Sequence, residues 1–170
     1  MPRLILVLAI IGAVLPASDG SLRAAQAPGG SRLRDVLPAE GLIASSVARI
    51  RDQTALDAYY YLADERVLGL DGKADAVFAR YRAGGGEALV LVVSYPTEAV
   101  AAEVYGRFGR DFFPGGIDPK SVRVVKELES GDFAGSARAR SILVVVLEAP
   151  DRRSCEELLR RLEERALALL

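Results

Sequence analysis

Histidine is absent from the 170-residue chain. That absence excludes Ser-His-Asp and Cys-His catalysis, His-ligated zinc and an imidazole proton shuttle. Tryptophan is absent too, and Cys155 is the one cysteine. A lone thiol makes no intrachain disulfide and no cysteine-based metal site. Neither sign of charge dominates: 22 Lys plus Arg face 23 Asp plus Glu, a net charge of −1. No global field draws the chain to nucleic acid or an anionic membrane. Composition therefore implies no cofactor, no metal and no nucleic-acid partner.

What is present suits one folded domain. Hydrophobic residues make up 51% and charged residues 26%, enough to build a core. The first segment reads as an address. Arg3 precedes Leu4–Leu15, an apolar run too short to span a bilayer, and small residues follow. The expectation is a signal peptide over 1–27, a flexible linker over 28–34 and a single α+β domain over 35–170. The protein would then be periplasmic or secreted, with no membrane span after the leader is removed.

Patterning predicts the elements. Thr54 reads as an N-cap with Asp57 as its partner, opening a helix through Leu56, Tyr59, Tyr60, Ala63 and Val67. Ala76–Tyr81 reads as a strand, Ala83–Gly86 as a turn, and Glu87–Tyr95 as a strand apolar on both faces. Pro96 ends it, Thr97 caps, and a helix runs from Glu98 to about Phe113. Val122–Lys126 reads as a strand, Ser130–Asp132 as a turn and Ala137–Glu148 as one long strand. A last helix starts at Asp151 or Ser154. At an offset of 54, Pro96 falls on Pro150 and Thr97 on Asp151. The expected architecture is a ββα-ββα pseudo-repeat: an antiparallel sheet of four or more strands, both helices on one face, with an extra N-terminal helix.

The segment Gly69-Leu70-Asp71-Gly72-Lys73-Ala74-Asp75-Ala76-Val77-Phe78-Ala79-Arg80-Tyr81, the later Val90–Pro96 and the early Val36-Leu37-Pro38 carry a resemblance. Together they resemble an exported bacterial family catalogued as domain of unknown function 6599. The resemblance implies export; it carries over no reaction, ligand or catalytic residue.

Several residues are candidates for chemistry. Tyr59, Tyr60 and Tyr61 could form an aromatic wall for a ligand, or pack as core with one ring exposed. Asp57, Asp64, Glu65, Asp71 and Asp75 cluster in sequence, as a hydrolase's paired carboxylates or as a solvated face. Arg138 and Arg140 alternate on a strand; with Arg80, Arg82 and Arg123 they would make a cationic face suited to carboxylate or phosphate. Gly84–Gly86 reads as a hairpin turn and Cys155 as a buried thiol. The reading is an exported, non-catalytic binding module whose partner is an envelope protein or a small anionic ligand. The competing classes are a hydrolase or lyase using carboxylate, Tyr or Arg, and a structural subunit of an envelope assembly.

Overall fold

A computed structural model describes residues 32–62, 66–118 and 120–169. The expected leader lies outside the described residues, as do Ala63, Asp64 and Glu65.

Val90–Val93 and Ile142–Leu147 carry apolar side chains at every position. Strands of this kind need cover on both faces, and that demand organises the molecule. Six strands form: β1 Ala48–Ile50, β2 Asp75–Ala83, β3 Gly86–Ser94, β4 Arg123–Glu127, β5 Phe133–Ala139 and β6 Ile142–Ala149. They make one antiparallel sheet in the order β1-β2-β3-β6-β5-β4. The two strands that carry these apolar runs, β3 and β6, lie side by side at its centre.

The helices are α1 Gln53–Asp57, α2 Glu98–Phe112 and α3 Arg152–Leu169. On one face, Phe78, Leu91, Val93, Leu143 and Val145 pack with Val104, Tyr105 and Phe108 of α2. On the other, Val77, Val90, Val92, Val144 and Val146 pack with Cys155, Leu158, Leu159 and Leu162 of α3. Each fully buried Leu or Val contributes about 1.5–3 kcal/mol. The α+β class and the antiparallel sheet are as expected. The placement of both helices on one face is not: α2 and α3 cover opposite faces. The expected ββα-ββα pseudo-repeat is not confirmed: the second half places three strands, β4, β5 and β6, before α3, and the two helices take different sides of the sheet.

The cause is one extra residue in β6. Val90 pairs with Val146, but Leu89 pairs with Glu148, and Gly135 pairs with Val146 while Phe133 pairs with Ala149. This β-bulge turns the strand over by one residue. Leu147 stays in the α2-side core, and Ala149 joins the α3-side core. The chain therefore leaves β6 on the face opposite to the one it takes after β3, where Tyr95 still points to the α2 side.

Two further expectations change. The long strand over Ala137–Glu148 is a hairpin, with Arg140 at φ 50° in the turn between β5 and β6. The N-terminal helix is only five residues long, and it is capped by Asp52, which accepts from the Ala55 N–H at 2.8 Å, rather than by Thr54. The other caps follow the sequence. Thr97 accepts from the Val100 N–H at 3.2 Å, and Asp151 accepts from the Ser154 N–H and hydroxyl at 2.8 and 2.7 Å. Gly84 closes against that last cap. Its φ is +57°, and a Cβ there would lie 2.0 Å from an Asp151 carboxylate oxygen. The triple glycine thus fits a turn to a helix start. Before β1, a 3₁₀ turn at Leu33–Val36 packs on α3, and Arg165 Nε donates to the Asp35 carbonyl at 2.9 Å. Among the described residues no helix is long and apolar enough to cross a membrane.

Candidate functional site

The side chains singled out from sequence do not converge. With α1 ending at Asp57, the three tyrosines follow it in non-helical chain. The Tyr59 ring lies 5.0 Å from Phe78 and is half exposed. Tyr60 packs at the edge of the α2-side core against Glu148; burial, then that carboxylate, pushes its phenol above the ordinary value. Tyr61 is 73% exposed. Arg80 is paired with Glu87 across the β2–β3 hairpin. Arg123 reaches Glu163 of α3, on the opposite face from Arg138. Arg140 sits in the hairpin turn, off the strand face it was expected to share with Arg138. Arg80 aligns with Leu89 and Glu148, whereas Arg138 aligns with Leu143, Val93 and Ala76. Three strand spacings across and four residues along put Arg80 and Arg138 about 20 Å apart. No single arginine face exists.

The carboxylates disperse as well. Asp57 accepts from Gln53, Asp71 accepts from the Lys73 N–H, and Asp75 pairs with Arg49 at 2.9 Å. No cluster of metal-ligating side chains occurs among the described residues. Burial pushes the Cys155 thiol up to about 12, so it is not a nucleophile.

Arg138 alone of the predicted residues enters a built site. Ala134, Ser136 and Arg138 alternate on β5 and face α2. Tyr105, one turn before Phe108 on α2, is brought over the same strand. Between them opens a cleft of about 520 Å³, walled by Tyr105, Arg107 and Arg110 of α2, by Lys120–Val122 before β4, and by Arg138. Four cations and one carboxylate, Glu103, line it. Glu103 engages Arg107 at 3.4 Å, and Arg107 also donates to the Val67 carbonyl. Arg110, Lys120 and Arg138 have no carboxylate partner among the described residues.

Tyr105 on the wall of this cleft carries a buried hydroxyl, and Ser136 lies beside that hydroxyl, outside the cleft lining. Tyr105 is 3% exposed and Ser136 is 0% exposed. Neither hydroxyl has a hydrogen-bond partner among the described residues. Ser121 and Ser136 stand beside the Tyr105 hydroxyl without meeting hydrogen-bonding geometry; the Ser121 hydroxyl is turned to the Arg123 carbonyl. Burial raises the Tyr105 pKa, so the phenol is a neutral donor. A buried hydroxyl without a partner costs about 1–3 kcal/mol, and Tyr105 borders a cleft whose Arg110, Lys120 and Arg138 have no carboxylate partner among the described residues. Nothing in the sequence placed β5 beneath Tyr105 and Arg110.

A larger cleft, about 610 Å³, lies between β4 and α3 and holds four arginines. Three of these four arginines are already paired. Arg152 pairs with Glu156 and stacks 5.4 Å from the Phe133 ring centre, while Arg160 bridges Glu157 and Glu164. Arg123 is held by Glu163. Internal pairing leaves the α2–β5 cleft as the better anion site. No protein-family model, curated protein or solved structure matches the chain.

Proposed function

We propose that the protein is an exported, non-catalytic binding module that takes a small anionic ligand in the cleft between α2 and β5. The observation that carries this reading is the buried hydroxyl of Tyr105 on the wall of a cleft lined by Arg110, Lys120 and Arg138, which have no carboxylate partner among the described residues. Donors without acceptors favour a ligand that brings acceptors, and unpaired cations favour one that brings negative charge. The charged side chains lining the cleft are all cations apart from Glu103, which is engaged by Arg107. Burial raises the Tyr105 pKa, so the phenol stays protonated and does not serve as a base near pH 7. Binding rather than turnover therefore suits the cleft. The leader pattern and the resemblance to an exported family support its placement outside the cytoplasm.

Calorimetric titration with a panel of small mono- and dianions tests the reading. Wild-type protein binds at least one of them, and Arg138→Gln, folded by circular dichroism, binds about tenfold more weakly. Equal binding by both proteins would show that anions bind elsewhere.

A further inference from the structure

We infer that the anion this cleft takes is a phosphoryl dianion carried by a monoester. The inference rests on the binding reading above and narrows its ligand class. A carboxylate is planar, offers two oxygens and carries one charge, and it is met best by a single arginine fork. The α2–β5 cleft is built differently. Its cations come from three separate elements: Arg110 from α2, Lys120 from the chain before β4, and Arg138 from β5. None pairs with a carboxylate among the described residues, and the neutral hydroxyl of Tyr105 adds a donor from the cleft wall.

Donors approaching from several directions match three terminal oxygens on a tetrahedral centre better than two in a plane. Three uncompensated positive charges also exceed what one carboxylate neutralises, whereas a monoester brings about −1.5 to −2 charge at neutral pH. The volume, about 520 Å³, is ample for a phosphoryl group with a small organic body attached. The apolar part would lie along Ala102 and Val122, which line the same cleft. Val122 is half exposed.

Titration of the protein with glycerol 3-phosphate and, separately, with succinate tests this. The expected result is at least tenfold tighter binding of the ester, and loss of that preference in Arg138→Gln. The ester's affinity should also rise about fourfold between about pH 5.5 and about pH 7.5, as its second proton, with a pKa near 6, leaves. The chain has no histidine, so this pH step titrates the ester and not an imidazole of the protein. Vesicles carrying phosphatidic acid separate the two sources of the same chemistry. Binding to vesicles alone assigns a lipid headgroup, and binding to the soluble ester assigns a free metabolite; either supports the phosphoryl class. Succinate binding as tight as the ester's, still weakened in Arg138→Gln, would overturn the phosphoryl class and leave the anion reading intact. No binding of any probe would overturn both.

Discussion

Leu147 and Glu148 are consecutive in β6, yet both face the α2 side of the sheet. Leu147 is buried in that core, and Glu148 meets Tyr60 at its edge. The bulge that permits this sets the face on which α3 lies. Deleting Glu148 would restore strict alternation and direct Ala149, with the start of α3, to the α2 side. The deletion is expected to abolish the cooperative thermal transition, measured by circular dichroism. Leu147→Ala keeps the bulge and should cost about 2–5 kcal/mol in urea unfolding. A deletion variant that unfolds cooperatively near the wild-type temperature would show that the bulge does not set the helix side.

Gly84→Ala and Gly85→Ala separate backbone strain from contact. Both residues have positive φ, but only a Cβ at Gly84 would meet a neighbour, Asp151, at 2.0 Å, while Gly85 faces open space. Gly85→Ala should cost about 1–2 kcal/mol from the left-handed backbone alone. Gly84→Ala should cost more, because it also displaces the cap of α3. Equal losses in urea unfolding would mean that the Gly84–Asp151 contact carries no weight.

Asp151 links stability to acid. Its hydrogen bonds from Ser154 lower its pKa below the ordinary carboxylate value. A depressed folded-state pKa contributes stability that is present above the unfolded value, about 3.9. That contribution is lost as pH falls through the folded value. Asp151→Ala should therefore lower the melting temperature at pH 7 and show a shallower decline below about pH 4 than wild type. Parallel acid profiles would remove Asp151 from the linkage.

Cys155 is sealed under Gly135, where an added Cβ would lie 3.2 Å from its sulfur. With its pKa pushed up to about 12, the thiol should not react with a maleimide at neutral pH until the protein unfolds. Mass spectrometry of native and urea-treated samples reads this directly. Prompt labelling of the native protein would contradict the burial.

The elements with strong local signals were legible. Thr97 and Asp151 cap the two long helices, Pro96 and Pro150 end the central strands, and the glycine turn follows Ala83 as the composition indicates. Three features escaped for stated reasons. The hairpin at Arg140 has neither Gly nor Asn to mark its positive φ. The bulge at Leu147 is invisible because an apolar residue suits either face. Both central strands are apolar on two sides, which itself called for cover on both faces; the offset of 54 masked that requirement by suggesting a two-fold repeat. For the site, Arg138 was legible as a cation on a strand. Tyr105, Arg110 and Lys120 were not, because the cleft is made by a sheet register that joins residues far apart in sequence.

The anion cleft is tested most directly by removing its buried donor. Tyr105→Phe deletes a hydroxyl that has no partner in the folded protein. The variant should gain about 1 kcal/mol in urea unfolding and bind glycerol 3-phosphate about tenfold more weakly, since a hydrogen bond to a charged group is worth about 1.5–3 kcal/mol. A Tyr105→Phe protein that binds as tightly as wild type would contradict the cleft as the binding site.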